Sequence, residues 1–343
     1  MDKNYNKFKM KLLYLSNNPD YNYLRSPRGD FALLHFFKKK GHDVLALTKK
    51  EMWKFFFVYK NFKPDIIISA FVPSGFIPAF FNKVGLIKCP VIHWWDDFYT
   101  MSITTYPFFL VDFLEKFTIK NSDYITTISK YNQNRATAML KPVYYIPNGV
   151  VSNRKKTKIN LNSLKTNPKN LKLVYTGGQH HKARKLDTII LAVKNLKCDL
   201  FLFGETNENL VPIAGNNVHF MGEVDPSEIF YILKQADILV NNMDADCNFK
   251  LFDYMSVGKP IITADGMVRN VLTHKKDAIL TKNFRKDIKN LIDNKKLREV
   301  LERNIKKIKI KTWEGVAEIH LKLYQSLIKK DKPTSNILPP KEH

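Results

Sequence analysis

The 343-residue chain is short of cysteine and of acids, and it has no long uninterrupted apolar run. Its three cysteines, Cys89, Cys198 and Cys247, are odd in number, widely spaced and fit no CxxC or metal-ligand pattern. They read as reduced thiols, as expected of a cytoplasmic protein, and a disulfide framework is excluded. The opening MDKNYNKFKM lacks the apolar centre of a signal peptide. The most apolar stretch, Ile66 to Phe81, is interrupted by Pro73, Gly75 and Pro78, which argues against a membrane-spanning helix. Asp and Glu number 32 against 56 Lys and Arg, a net charge of +24 that calls for an anionic partner or surface: nucleic acid, lipid headgroups or a phosphorylated substrate. An Asn/Lys/Ile-rich background also raises the lysine count.

What is present organises itself around Asn242 to Thr263, NMDADCNFKLFDYMSVGKPIIT. An apolar strand, Asp237 to Val240, leads into a polar loop with acids. A short helical pattern follows (Phe249, Phe252, Tyr254, Met255), then the turn Gly258-Lys259-Pro260 and a second strand, Ile261 to Thr263. A helix start offers unpaired N–H groups and a positive dipole end, which suit a phosphate, and a carboxylate one turn in can accept hydrogen bonds from sugar hydroxyls. Lys250 and Asp253, three apart, share a helix face.

The order Lys-Leu-Phe-Asp-Tyr-Met-x-x-Gly-Lys-Pro-Ile-Ile resembles the nucleotide-sugar site of GT-B glycosyltransferases of family 4. In that family a carboxylate at the position of Asp253 holds the donor ribose, and Lys250 and Leu251 fall within the same donor-binding motif. The family places a first acid eight positions earlier, where this chain has Ala245 between Asp244 and Asp246, so that role is unassigned. Asp244-Ala245-Asp246 also looks like the metal-binding DxD of GT-A enzymes, but the helix after it belongs to the other architecture. A solvated loop is the plain alternative for these acids.

In chain order, the strand Met10 to Ser16, a loop holding Arg25, Arg28 and Gly29, the helix Phe31 to Lys40 and the strand Asp43 to Thr48 open a doubly wound sheet. Ligands bind beyond the carboxyl ends of such strands, which puts Gly29 toward the ligand, although a plain turn fits equally. Met52 to Phe62 reads as one helix with Trp53, Phe56, Phe57 and Lys60 on one face. Core packing and an interfacial membrane helix both fit its aromatics and lysines, and the overall charge favours the membrane. The strand Pro90 to His93 runs into Trp94-Trp95-Asp96-Asp97. The corresponding family loop carries an acid or His near the reacting sugar and acceptor, so His93, Asp96 and Asp97 are the catalytic candidates; a satisfied buried histidine and a helix-capping aspartate are the alternatives. The segments Ser122 to Ser129 and Ile146 to Val150 also resemble the family.

The polar, basic stretch at residues 151–170 reads as a linker between domains at 1–150 and 171–311. In the second domain, Gly177-Gly178 and the basic run through Lys182, Arg184 and Lys185 suit a diphosphate. The family carries an Arg directly after the first Gly and a Lys at the helix start. Gly178 replaces the former, and Arg184 aligns with the latter, with Lys182 nearby. Gly204 matches a place where the family holds the nucleotide base through backbone contacts. Residues 312–330 are expected as a helix crossing back to the N-terminal domain, and 331–343 as a disordered tail.

The fold class expected is α/β, GT-B, with two doubly wound Rossmann-like domains facing a central cleft. The resemblance implies transfer of a hexosyl group from a nucleotide-diphosphate sugar to an acceptor hydroxyl, with retention, no metal and no cofactor, in surface polysaccharide, glycolipid or lipid-linked glycan assembly. Arg184 would stabilise the leaving diphosphate. A nucleotide-sugar 2-epimerase on the same fold and a non-catalytic polyanion-binding protein are the alternatives. The last is disfavoured because the chain has no nucleic-acid-binding module and its basic residues are dispersed. The partners expected are a nucleotide sugar, a lipid-linked or polysaccharide acceptor and an anionic membrane surface such as the inner face of the cell membrane, with no nucleic acid.

Overall fold

The computed structural model describes residues 8–16, 29–70, 72–97, 107–152, 154–164, 166–180 and 185–329. The expectations for Arg25, Arg28, Lys182, Arg184 and the tail at 331–343 fall outside these residues. The chain divides into two compact units, residues 1–149 with 312–343, and residues 150–311.

In the first unit, strands β1 (Lys11–Leu15), β2 (Asp43–Leu47), β3 (Ile66–Ala70), β4 (Val91–Trp95), β5 (Tyr124–Thr127) and β6 (Val143–Tyr145) form one sheet in the order β2-β1-β3-β4-β5-β6. Every pairing is parallel. A parallel sheet is covered by helices on both faces, so its inner strands are apolar throughout, as Ile66-Ile67-Ile68 shows. The crossovers are α1 (Gly29–Lys39), α2 (Phe55–Phe62), α3 (Val72–Lys83), α4 (Phe108–Asn121) and α5 (Lys130–Ala138). Only α1 steps backward along the strand order, so right-handed crossovers put it on the face opposite α2 to α5.

The expected helix over Met52 to Phe62 is instead a 3-10 turn, Lys49–Lys54, running into α2. The change of pitch turns Met52 and Phe55 into the core and leaves Trp53 and Phe57 outside. Phe56 is half-buried against Phe81, so the predicted face is split between core and solvent.

The second unit holds β7 (Leu171–Thr176), β8 (Cys198–Phe203), β9 (Val218–Gly222), β10 (Ile238–Asn241), β11 (Ile261–Ala264) and β12 (Ile279–Thr281), in the order β12-β11-β10-β7-β8-β9. Again all pairings are parallel. Its helices are α6 (Leu186–Val193), α7 (Ile229–Lys234), α8 (Phe249–Val257), α9 (Phe284–Asp293) and α10 (Lys295–Ile305). Alternate strand residues feed two cores. Leu173 and Leu200 join the α6 and α9 side, and Val174 and Phe201 the α7 and α8 side.

The stretch expected as a linker packs onto this second core. Leu161 is fully buried among residues of α7 and α8, with Ile159 and Leu164 beside it. Its backbone N–H donates to Gln235 Oε1 at 2.8 Å. Three apolar residues spaced through a basic stretch carry no periodicity, so only packing reveals them; burying one such leucine is worth about 1.5–3 kcal/mol.

The last helix, α11 (Trp313–Ile328), packs on α1 within the first unit. Among the described residues no helix is long and apolar enough to cross a membrane.

Candidate functional site

In the second sheet the chain leaves β7 toward β8 in one direction and later returns to β10 on its other side. The carboxyl ends of β7 and β10 therefore form the topological switch point, where diverging loops open a crevice. Three loops meet around it.

The loop after β7 begins at Gly177, with φ of 121°, and the loop after β8 begins at Gly204, with φ of 129°. A Cβ on Gly204 would overlap the Gly177 carbonyl, so glycine is required by conformation and by space. Gln179 ties the two loops together. Its Nε2 donates to the Gly204 carbonyl at 3.3 Å, and its Oε1 accepts from Asn207 N–H at 3.2 Å.

The loop after β10 is fixed by Asn241. Its amide donates to the Met243 carbonyl and to Thr263 Oγ1, each at 2.9 Å. Its Oδ1 accepts from Asn248 Nδ2 at 3.3 Å. Asn248 is the N-cap of α8, accepting from Lys250 N–H at 3.2 Å. Tyr254 then clamps the switch point: its hydroxyl accepts from Thr176 N–H at 2.9 Å and donates to the Val240 carbonyl at 3.2 Å. Burial pushes its phenol pKa up, so it stays a neutral donor.

On this frame Lys250 is buried in the first turn of α8, its ammonium 3.9 Å from the Tyr175 ring centroid. Asp253, one turn on, is also buried. It lines a cavity of about 10 Å³ with Arg154, Phe230 and Ser256. The Arg154 guanidinium lies 3.5 Å from the Phe230 ring centroid. Burial lowers the Arg154 pKa, and the Asp253 carboxylate opposes that shift. Arg154 was missed because it sits in the stretch read as linker. Gln179 and Tyr254 stand inside the quoted motifs, but their hydrogen bonds have no sequence signature.

Four of the expected residues, Gly177, Gly204, Lys250 and Asp253, thus gather at one switch point, with Gly178 directly after Gly177. Leu251 belongs to the motif but not to the site, because its side chain is fully buried in the α7 and α8 core, one residue round the helix from Lys250. Asp244 and Asp246 part company. Asp244 is exposed, whereas Asp246 is fully buried and accepts from Asn270 Nδ2 at 3.1 Å. The two acids thus sit in different environments, and Asp246 anchors the loop.

In the first unit Gly29 opens α1 at the carboxyl end of β1 with φ of 59°. Beside it, Asp30 accepts from Ser16 Oγ at 2.6 Å. Asp96 and Asp97 follow β4, two strands away, and are half-buried. The Asp97 carbonyl accepts from Asn132 Nδ2 at 3.2 Å. His93 is a correction. It is wholly buried in mid-sheet, its Nδ1 3.1 Å from Ser69 Oγ, and a Cβ on Gly75 of α3 would press against its ring. Burial holds its pKa down at about 3, so it is a neutral core histidine rather than a base within reach of a substrate.

Residues 170–294 match the family model for glycosyl transferases group 1, a span that contains all three switch-point loops. No curated protein matches the chain in sequence. Among solved structures, HepE of Anabaena in complex with UDP and glucose superposes with a TM-score of 0.68 at 14% identity, covering 92% of this chain and 100% of that one. Sucrose-phosphate synthase of Thermosynechococcus elongatus gives 0.74 at 13% identity, covering 93% and 99%. A putative UDP-N-acetylglucosamine 2-epimerase of Listeria monocytogenes gives 0.63 at 11%, covering 96% and 100%.

Proposed function

For a chain with the GT-B fold whose second unit matches glycosyl transferases group 1, we propose transfer of a hexosyl group from a nucleotide-diphosphate sugar to an acceptor hydroxyl. The observation that carries this reading is the placement of Lys250 and Asp253, both buried, near the start of α8 at the switch point of the second sheet. A lysine beside the N–H groups of a helix start suits a diphosphate, which the positive end of the helix dipole also favours. Asp253 takes the ribose hydroxyls, and Gly177 and Gly204 let the nucleotide approach the backbone. Arg184 and Lys182 stabilise the departing diphosphate, which makes the reaction independent of a metal. Asp96 or Asp97 serves the sugar and acceptor in the first unit. Retention of configuration and a role in polysaccharide, glycolipid or lipid-linked glycan assembly, at an anionic membrane surface, complete the proposal. HepE, described in complex with UDP and glucose, makes a uridine donor the first to try.

The likeness to an epimerase keeps one second reading in view. Both are tested by incubating the protein with labelled UDP-hexoses and a mixed glycolipid fraction, then separating the products. The proposal expects UDP release and label on the acceptor. Recovery of the label as the C2 epimer of the intact nucleotide sugar would establish the epimerase instead.

A further inference from the structure

The outer surface of α2, α3 and α4 carries a run of aromatic rings. Ring contacts run without a break across all three helices: Phe56 to Phe81 at 5.1 Å, Phe81 to Phe80 at 5.7 Å and Phe80 to Phe76 at 6.2 Å, then Phe76 to Phe117 at 4.8 Å and Phe117 to Phe113 at 6.0 Å. At the two ends of this belt the rings stand in solvent. Trp53 and Phe57 are 80% and 72% exposed beside α2, and Phe108 and Phe109 are 67% and 74% exposed at the start of α4. Soluble proteins rarely leave so much contiguous apolar surface without a partner for it.

Lysines stand over the same rings. The ammonium of Lys54 is 5.3 Å from the Trp53 ring centroid, that of Lys60 is 5.2 Å from Phe56, and that of Lys83 is 5.2 Å from Phe117. Residues 49–62 hold four lysines and one acid, Glu51. That acid is engaged by Thr48, and Asp112 of α4 is paired with Lys116 at 2.7 Å. A second copy of the same surface would set these lysines against each other, whereas an anionic bilayer matches both the charge and the rings.

We propose that this three-helix face is a bilayer-docking surface for anionic lipid, with Trp53 and Phe57 as one insertion point and Phe108 and Phe109 as a second. It rests on, and deepens, the reading of the protein as a transferase acting at a membrane. All strands of the sheet run in one sense, so the starts of α2 and α4 lie at its carboxyl end, as do Asp96 and Asp97. A bilayer held there presents a lipid-linked acceptor to the loop after β4.

The test is flotation with vesicles of equal phosphatidylglycerol and phosphatidylcholine, read beside tryptophan emission. Trp94, Trp95 and Trp313 are buried, so a blue shift on adding vesicles reports Trp53 alone. Wild type is expected to float and to shift. Phe108→Ser with Phe109→Ser should weaken vesicle binding at least about tenfold, as should Trp53→Ser with Phe57→Ser. Lys54→Gln, Lys60→Gln and Lys83→Gln together should remove most of the salt dependence. Should the α4 pair fail to fold by circular dichroism, Phe109→Ser alone serves. Wild-type-like flotation of the α4 variant beside a weakened α2 variant overturns the two-point surface and leaves membrane action standing. No flotation of wild type overturns both, while transfer to a soluble acceptor remains open to separate measurement. A dimer in sedimentation velocity that the α4 variant dissolves overturns the lipid assignment in favour of a second copy.

Discussion

At the scale of the residue, the candidate donor site depends on charges placed where water is scarce. Asp253 is buried and lines a cavity with Arg154, whose guanidinium is held on the Phe230 ring and whose lowered pKa the Asp253 carboxylate opposes. Asp253→Asn removes the charge and one acceptor with almost no change in volume. Hydrogen bonds to charged groups contribute on the order of 1.5–3 kcal/mol, so the donor KM should rise about tenfold or more. Stability should change by less than about 1 kcal/mol. Steady-state kinetics at fixed acceptor measures the first and urea unfolding the second; a donor KM equal to wild type would remove Asp253 from the ribose. Both acids and bases in this chain had to be sorted by burial. His93 and Asp97 are four residues apart in sequence, yet one is core and the other is partly open to solvent.

At the scale of the element, α8 concentrates the site because several constraints converge on its first turn. Asn248 caps it, Asn241 holds Asn248, and Tyr254 ties its second turn to β7 and β10. Asn248→Ala loses the cap and the contact to Asn241 together. The cap alone is worth about 1 kcal/mol, so thermal unfolding should fall accordingly and the donor KM should rise as the first turn loosens. Asn248→Asp keeps an acceptor for the Lys250 N–H and should recover most of the stability. Equal losses in both variants would show that the bond to Asn241, rather than the cap, holds the helix start.

At the scale of the whole molecule, the division into units does not follow the chain. Thr312 onward belongs with the first unit, where α11 lies on α1 and its buried His320 and Tyr324 pack with Phe37 and Trp94. A chain ended at Lys311 strips these rings from the first unit and leaves both cores of the second intact. Limited proteolysis of that truncation should digest residues 1–149 and leave a resistant fragment at 150–311 that UDP stabilises thermally. Persistence of an N-terminal fragment would mean that the first unit does not need α11.

The repeating apolar strands, the capped helix at Asn248 and the glycine turns are local features, and each is written in consecutive residues. The sequence therefore determined the two parallel α/β sheets, the order of elements and the loops that carry the donor-site candidates, because strand and helix periods and special backbone angles act within a few residues. Four further matters rested on partners distant in the chain, and only tertiary structure decided them. Leu161 became core rather than linker because α7 and α8 offered it a face. His93 became a neutral core residue because Ser69 and Gly75 close around it. Arg154 joined Asp253 across about a hundred residues. The Phe108 end of α4 and the Trp53 end of α2 became parts of one surface because α3 lies between them. Burial and electrostatics depend on what packs against a residue, and no local pattern encodes that.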